Sequence, residues 1–206
     1  MTLRQIPFVA LVAAALATGL AGCGPLVQIG GNDKAPTALL ALRATATPVA
    51  GAVTTDRAAT LLVLVPTVPG TLQTLRLPVA TTDTEVAYLT GATWAEQPNR
   101  EFQHVLADTI AARGVPVIDP HQATLAPGRT LSGTLFDFGL DIRNPAAVVV
   151  RVRYDATLSG TGKVPFAIRR FDAVQPVASQ NPGDVAIALN TAANTVAAQV
   201  AEWVAR

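Results

Sequence analysis

The order of hydrophobic patterns along this chain predicts an α+β fold: a mixed, largely antiparallel sheet with two amphipathic helices packed on one face. Short apolar runs bounded by Gly, Pro and Thr recur on both sides of residue 100. Two segments, residues 98–114 and the stretch after Asp184, instead repeat apolar residues at helical spacing. The order is therefore strands, helix, strands, helix, which places the helices together on one side of a sheet.

Residues 37–43 (TALLALR) are expected to form a first strand, and residues 45–57, rich in Ala, Thr, Val and Pro without periodicity, a loop. Residues 60–65 (TLLVLV) are continuously apolar, as in a central strand buried on both faces, and Pro66 to Gly70 end the run. Residues 72–79 alternate as a half-buried strand does, and residues 85–89 form another short strand. The first helix starts at Pro98, which suits a first turn, and carries Phe102, Val105, Leu106, Thr109 and Ile110 on one face. Gly114 caps it, with Pro116 beyond and a brief strand over 115–118. Residues 130–142 place Leu131, Gly133 and Leu135 on one face before Phe136 and Phe138 take up the other. Residues 146–158 alternate through Val148, Val150, Val152 and Tyr154, residues 159–162 turn, and residues 164–177 return, which makes an antiparallel meander. The last helix runs towards Arg206 from Asp184 as N-cap, with a one-sided stripe through Val185, Leu189, Val196, Val200 and Trp203.

The amino terminus has a different character. Arg4 precedes an apolar run from Ile6 to Leu20, followed by Ala21, Gly22 and the single cysteine, Cys23. A positive start, a short apolar core and small residues before a cleavage point are the layout of a secretory signal. The run is shorter than the roughly 20 residues that span a bilayer. Residues 1–22 are thus a signal segment, 23–36 a Gly- and Pro-containing tether, and 37–206 a single domain. Leu20-Ala21-Gly22-Cys23 resembles the lipobox of bacterial lipoproteins, which implies that Cys23 is lipidated and becomes the first mature residue. An incidental cysteine after an ordinary signal, a core thiol, or a spanning anchor are the competing readings. Gly24, rather than the aspartate that retains lipoproteins at the inner membrane, implies the periplasmic face of an outer membrane.

With one cysteine the domain holds no internal disulfide. Half the residues are hydrophobic and 14% are charged, with a net charge of +1. That balance excludes nucleic acid or acidic lipid as an electrostatically recruited partner. So apolar a chain hides surface against a partner or membrane, or reflects an Ala- and Val-rich proteome; both readings stay open.

Chemistry-bearing constellations are thin. His104 sits on the polar side of the first helix and His121 in a loop, neither with a second ligand at metal-binding spacing. No metal or cofactor is expected. Asp137 and Asp141 point the same way on one strand, about 13 Å apart, too far for a concerted acid–base pair, and are expected to be solvent-face aspartates. Gly160-Thr161-Gly162-Lys163 fails as a phosphate loop, because Thr157 and Val164 stand where glycine and Ser or Thr are needed. No catalytic residue is assigned. Trp94, at a helix entry, serves as a staple against the core or lines a ligand surface.

Four motifs in order carry a resemblance. Residues 88–112 (YLTGATWAEQPNREFQHVLADTIAA), Leu135 with Asp137-Phe138, residues 170–173 (RFDA) and residues 185–204 (VAIALNTAANTVAAQVAEWV) follow the lipobox. Together they resemble the ABC-type transport auxiliary lipoprotein family. The turn Trp94-Ala95-Glu96-Gln97-Pro98 carries one residue more than that family's Trp-Ala-Asp-Pro. The resemblance implies a non-enzymatic outer-membrane accessory of a permease, a separate ATPase and a substrate-binding protein of the mammalian-cell-entry (MCE) type. Such systems move phospholipids or other hydrophobic molecules, and Tyr88, Trp94 and Phe138 become candidate contacts to partner or lipid. A structural or assembly lipoprotein unrelated to transport is the alternative. Self-assembly into a ring around the periplasmic bridge is compatible with the resemblance, although no residue in the sequence demonstrates it.

Overall fold

The computed structural model describes residues 38–48, 56–118, 126–160 and 166–206. Its centre is a mixed seven-stranded sheet. The strands are β1 (Leu61–Val63), β2 (Arg76–Ala80), β3 (Val86–Thr93), β4 (Val117–Ile118), β5 (Arg129–Asp141), β6 (Val149–Gly160) and β7 (Ala167–Pro176). Helices α1 (Pro98–Ala111) and α2 (Pro182–Val204) complete it. The long strand β5 organises the rest. Along one edge it pairs antiparallel with β6, which pairs antiparallel with β7. Its other edge is shared between two parallel neighbours, β1 beside Arg129 to Leu131 and β2 beside Leu140 and Asp141. Beyond these lie β4, parallel to β1, and β3, antiparallel to β2.

Alternation fixes which face is covered. Val150, Val152, Tyr154 and Ala156 of β6 are fully buried, and they lie on the face where α2 packs its stripe of Val185, Leu189, Ala192, Ala193, Val196, Ala197 and Val200. The alanines let the helix approach the sheet closely. Helix α1 packs beside α2 and over β1 and β4. Its side chain Gln103 is buried and donates to the Val63 carbonyl, satisfying the end of a strand only three residues long. Both helices thus share one face, as expected, and the other face of the sheet carries no helix among the described residues.

Several local expectations are corrected. Residues 38–44 form no strand; Leu40 makes a single parallel bridge with Trp94. The segment is instead a strap over both helices. Glu101 accepts from the Leu42 N–H at 3.1 Å, Asn190 from the Arg43 N–H at 2.8 Å, and Asn194 from the Thr45 N–H at 2.7 Å. Asn194 also donates to the Arg43 carbonyl. These partners come from far along the chain, so no local pattern announces them. The run 60–65 is not buried on both faces: Leu61 and Val63 are enclosed, whereas Leu64 and Val65 are exposed. The strand expected over 72–79 begins at Arg76, because residues 70–72 form a 3-10 turn. The strand expected over 85–89 runs on to Thr93.

A β-bulge between Leu135 and Asp137 changes the phase of β5. Leu135 lies opposite Tyr154, and Phe138 opposite Val152, so both point into the core. Phe138 therefore shares the face of Leu131 and Leu135 instead of opposing it, and Phe136 is the extra, exposed residue. The N-cap of α2 is Asn181, whose side chain accepts from the Asp184 N–H at 2.9 Å. Asp184 lies three residues inside, where its carboxylate complements the positive helix end and accepts from Asn181. Gly114 adopts φ +81 after α1, as a glycine cap does. The turn expected over 159–162 lies largely outside the described residues, β6 extending to Gly160.

Candidate functional site

The helix-free face is where the structure leaves side chains available. On it, charges pair across strands and at the end of β5. Arg143 holds Asp141 through two nitrogens, at 2.9 and 2.6 Å, and reaches Asp83 at 3.0 Å. Arg153 lies 3.0 Å from Asp137, and Arg170 grips Asp155 with two bonds of 2.7 Å. The fork of a guanidinium matches a carboxylate in this bidentate way. Asp141 is buried rather than solvent-facing, the reverse of the expectation, because Arg143 and Arg151 close over it. Asp137 remains half-buried. Each of these carboxylates is thus engaged by at least one guanidinium, Arg143 being shared between Asp141 and Asp83, and is set as a structural partner, not as half of an acid–base pair.

The hydrogen bond from Arg143 holds the Asp141 carboxyl below its ordinary value of 3.8, against the opposing effect of burial. Arg170 depresses Asp155 in the same way. A depressed folded-state pKa gives stability that is present above the unfolded value and lost as pH falls through the folded one. Asp141→Asn is therefore expected to lower stability by about 1 kcal/mol at pH 7, a modest figure because Arg143 is 40% exposed and screened. Urea titrations at stepped pH check this: the difference from wild type should shrink below about pH 4, where the native carboxylate is itself being protonated.

Between the charge pairs lies a small groove of about 100 Å³, floored by Pro78 and Gly139 and walled by Val86, Phe136 and Arg151. The floor is tight: a Cβ on Gly139 would stand 2.5 Å from the Pro78 carbonyl oxygen. Phe136, pushed out by the bulge, is stacked beneath the Arg153 guanidinium at 5.3 Å. Beside the groove, Tyr88 is half-buried on β3. The Arg76 guanidinium lies 4.5 Å from its ring centre, and its hydroxyl donates to the Thr71 carbonyl at 3.4 Å.

The three candidate aromatic contacts are placed differently. Trp94 is fully enclosed just after β3, its ring 5.4 Å from that of Phe138, which is 2% exposed. Both rings are core; Trp94 takes the staple role. Tyr88 alone of the three keeps surface. On the opposite side, His104 is exposed on α1, where it lines a broad groove with Arg100, Leu64 and Val117. Cys23 and His121 lie outside the described residues. Among the described residues no group of three or more His, Cys, Asp or Glu side chains is placed to hold a metal, and no helix is long and apolar enough to cross a membrane. Sequence reasoning missed the strap's anchors, Glu101, Asn190 and Asn194. The signal for Glu101 and Asn194 was a polar residue breaking an apolar helix stripe.

Comparison with known proteins places this architecture. A family model described as "ABC-type transport auxiliary lipoprotein component" matches residues 40–201. Protein XCC0632 from Xanthomonas campestris has a similar solved structure, with 20% identity, a TM-score of 0.68, and coverage of 81% of this chain and 93% of that one. The structure of an uncharacterized protein is similar at 15% identity and a TM-score of 0.60, covering 81% of this chain and 99% of its own. At these identities the likeness is one of fold. No curated protein matches the chain in sequence.

Proposed function

This chain belongs to the ABC-type transport auxiliary lipoprotein family, and from that premise we propose that it is the lipid-anchored, non-enzymatic accessory of a transporter that moves phospholipids or other hydrophobic molecules. In this reading residues 1–22 are removed, Cys23 carries the lipid, residues 23–36 are the tether and residues 37–206 are the working domain. Two or more acyl chains, each contributing about 0.8 kcal/mol per buried methylene, give stable attachment. Gly24 favours the outer membrane, with the domain in the periplasm. The partners are a permease, its ATPase and a binding protein of the MCE type. Tyr88, on the uncovered face, is the aromatic contact.

The observation that carries this reading is the family match over residues 40–201 on a chain that also bears Leu20-Ala21-Gly22-Cys23. The engaged state of the carboxylates supports a docking role over a chemical one. The test is a pull-down of the tagged full chain from intact envelope, with Cys23→Ala and Tyr88→Ala beside it. Wild type should recover an MCE-type protein, Cys23→Ala should leave the membrane fraction, and Tyr88→Ala should recover the partner several-fold less. Recovery of envelope-assembly factors instead, or of nothing, overturns the transport role.

A further inference from the structure

Strand β7 is an edge with unusual properties. Among the described residues it pairs only with β6, in an unbroken register from Ala167 to Pro176, so the N–H and C=O groups of alternate residues face outward along ten residues. Natural edge strands are blunted by charged side chains, lysine above all, and by internal proline, bulges or short length. β7 has no lysine, no proline before its last residue and no bulge, and its charges, Arg169, Arg170 and Asp172, are of both signs. Its helix-free face also carries exposed apolar side chains on either side of Arg170 and Asp172: Ile168 is 68% exposed, the adjoining Phe166 69% and Val174 41%. Two of these are among the most exposed large apolar side chains of the described residues.

We propose that β7 pairs antiparallel with β7 of a second copy of this chain, about a two-fold axis normal to the sheet that passes midway between the two copies of Phe171. Its register with β6 sets the helix-free side chains in the order Ile168, Arg170, Asp172, Val174, Pro176, with Phe166 just before. Centred on Phe171, that order complements itself. Arg170 faces Asp172 of the other copy, twice by symmetry; Ile168 faces Val174, twice; Phe166 faces Pro176, twice. The neighbouring registers that keep the faces matched shift the pairing by two residues. One opposes Arg170 to Arg170 and the other Asp172 to Asp172, both unfavourable. Charge complementarity thus selects one register. Arg170 has donors to spare, since its 60% exposed guanidinium spends two N–H groups on Asp155. On the covered face Phe171 is already packed against Trp203, at 5.6 Å between ring centres. The axis keeps the helices of both copies on the same side and joins two sheets into one. Such an isologous contact closes on itself, and so removes the edge that would otherwise invite aggregation.

The experiment is sedimentation equilibrium of the full chain in detergent micelles, comparing wild type with Ile168→Lys, Val174→Glu and the double variant. Both sites are exposed on an edge, and circular dichroism verifies that each variant is folded. Wild type should be dimeric, and each single change, acting twice across the axis, should weaken dimerisation by about ten-fold or more. The double variant should recover the dimer, because the introduced lysine of each copy then faces the introduced glutamate of the other. A wild-type monomer, an assembly indifferent to both single changes, or single changes that disrupt without recovery in the double variant would each overturn the pairing. The result is independent of which transporter the protein serves.

Discussion

Gly133→Ala should cost about 3 kcal/mol of stability, at the upper end of what overpacking causes. Gly133 lies on the core face of β5, where a Cβ would collide with the Asp155 carbonyl oxygen and stand 2.6 Å from the Tyr154 ring. The carbonyl belongs to the neighbouring strand and cannot swing aside. Nor can the ring: Tyr154 is fully buried, packed edge-on to Phe102 at 5.4 Å, and its hydroxyl donates to the Ser132 carbonyl at 3.0 Å. An aromatic ring laid over a glycine on the next strand covers backbone that would otherwise be bare. Gly70→Ala is the matched control, since a Cβ there meets nothing within 4 Å and should be neutral within about 1 kcal/mol. Urea midpoints of the two variants decide the matter; equal midpoints would show that the sheet yields at Gly133.

Trp94→Ala should destabilise by about 3–5 kcal/mol, the range for emptying an aromatic-sized site. The loss is that of the indole alone, which is fully buried; the backbone links of this residue survive the substitution. The backbone of Trp94 donates to the Leu75 carbonyl and bridges to Leu40 of the strap in either variant, whereas the ring packed on Phe138 is what the substitution removes. Trp94→Phe should cost far less than that size difference implies. The indole Nε1–H is buried with no hydrogen-bond partner among the described residues, and removing an unpaired buried donor relieves a penalty of about 1–3 kcal/mol. Thermal melts of the two variants separate packing from polarity. A phenylalanine variant as unstable as the alanine one would mean that the N–H is satisfied in solution.

The features legible in the sequence are those governed by neighbours in the chain. Helix α1 ends where Pro98 and Gly114 predict, and the alternation of Val150, Val152 and Tyr154 predicts the buried face of β6. The misreadings share one cause: a local pattern whose meaning is decided elsewhere. Residues 38–44 have strand composition, yet their backbone groups are taken by side chains of Glu101, Asn190 and Asn194. The phase of Phe138 depends on a bulge, and counting by twos cannot locate an inserted residue. At α2, Asn181 and Asp184 are both good caps within one turn, and only the backbone geometry distinguishes them. The uncovered face was implicit in the charge alternation of 151–155, but the pairing of Arg170 with Asp155 required the register of β7 on β6.

The position of β5 between three partners has a consequence for the order in which the chain can become a fold. Strand β1 is three residues long and β2 five, and each relies on β5, which arrives only with residues 129–141. Before then the first half of the domain has a hairpin, a helix and a short parallel pair, with no shared strand to join them. The second half, by contrast, contains β5, β6, β7 and α2 in succession, contacts of short sequence separation that close quickly. A chain delivered amino terminus first is therefore expected to complete its sheet only once residues 129–141 are available, which hydrogen-exchange labelling during refolding would check. Truncation before residue 129 leaves the β2–β3 hairpin and the β1–β4 pair with no strand to join them.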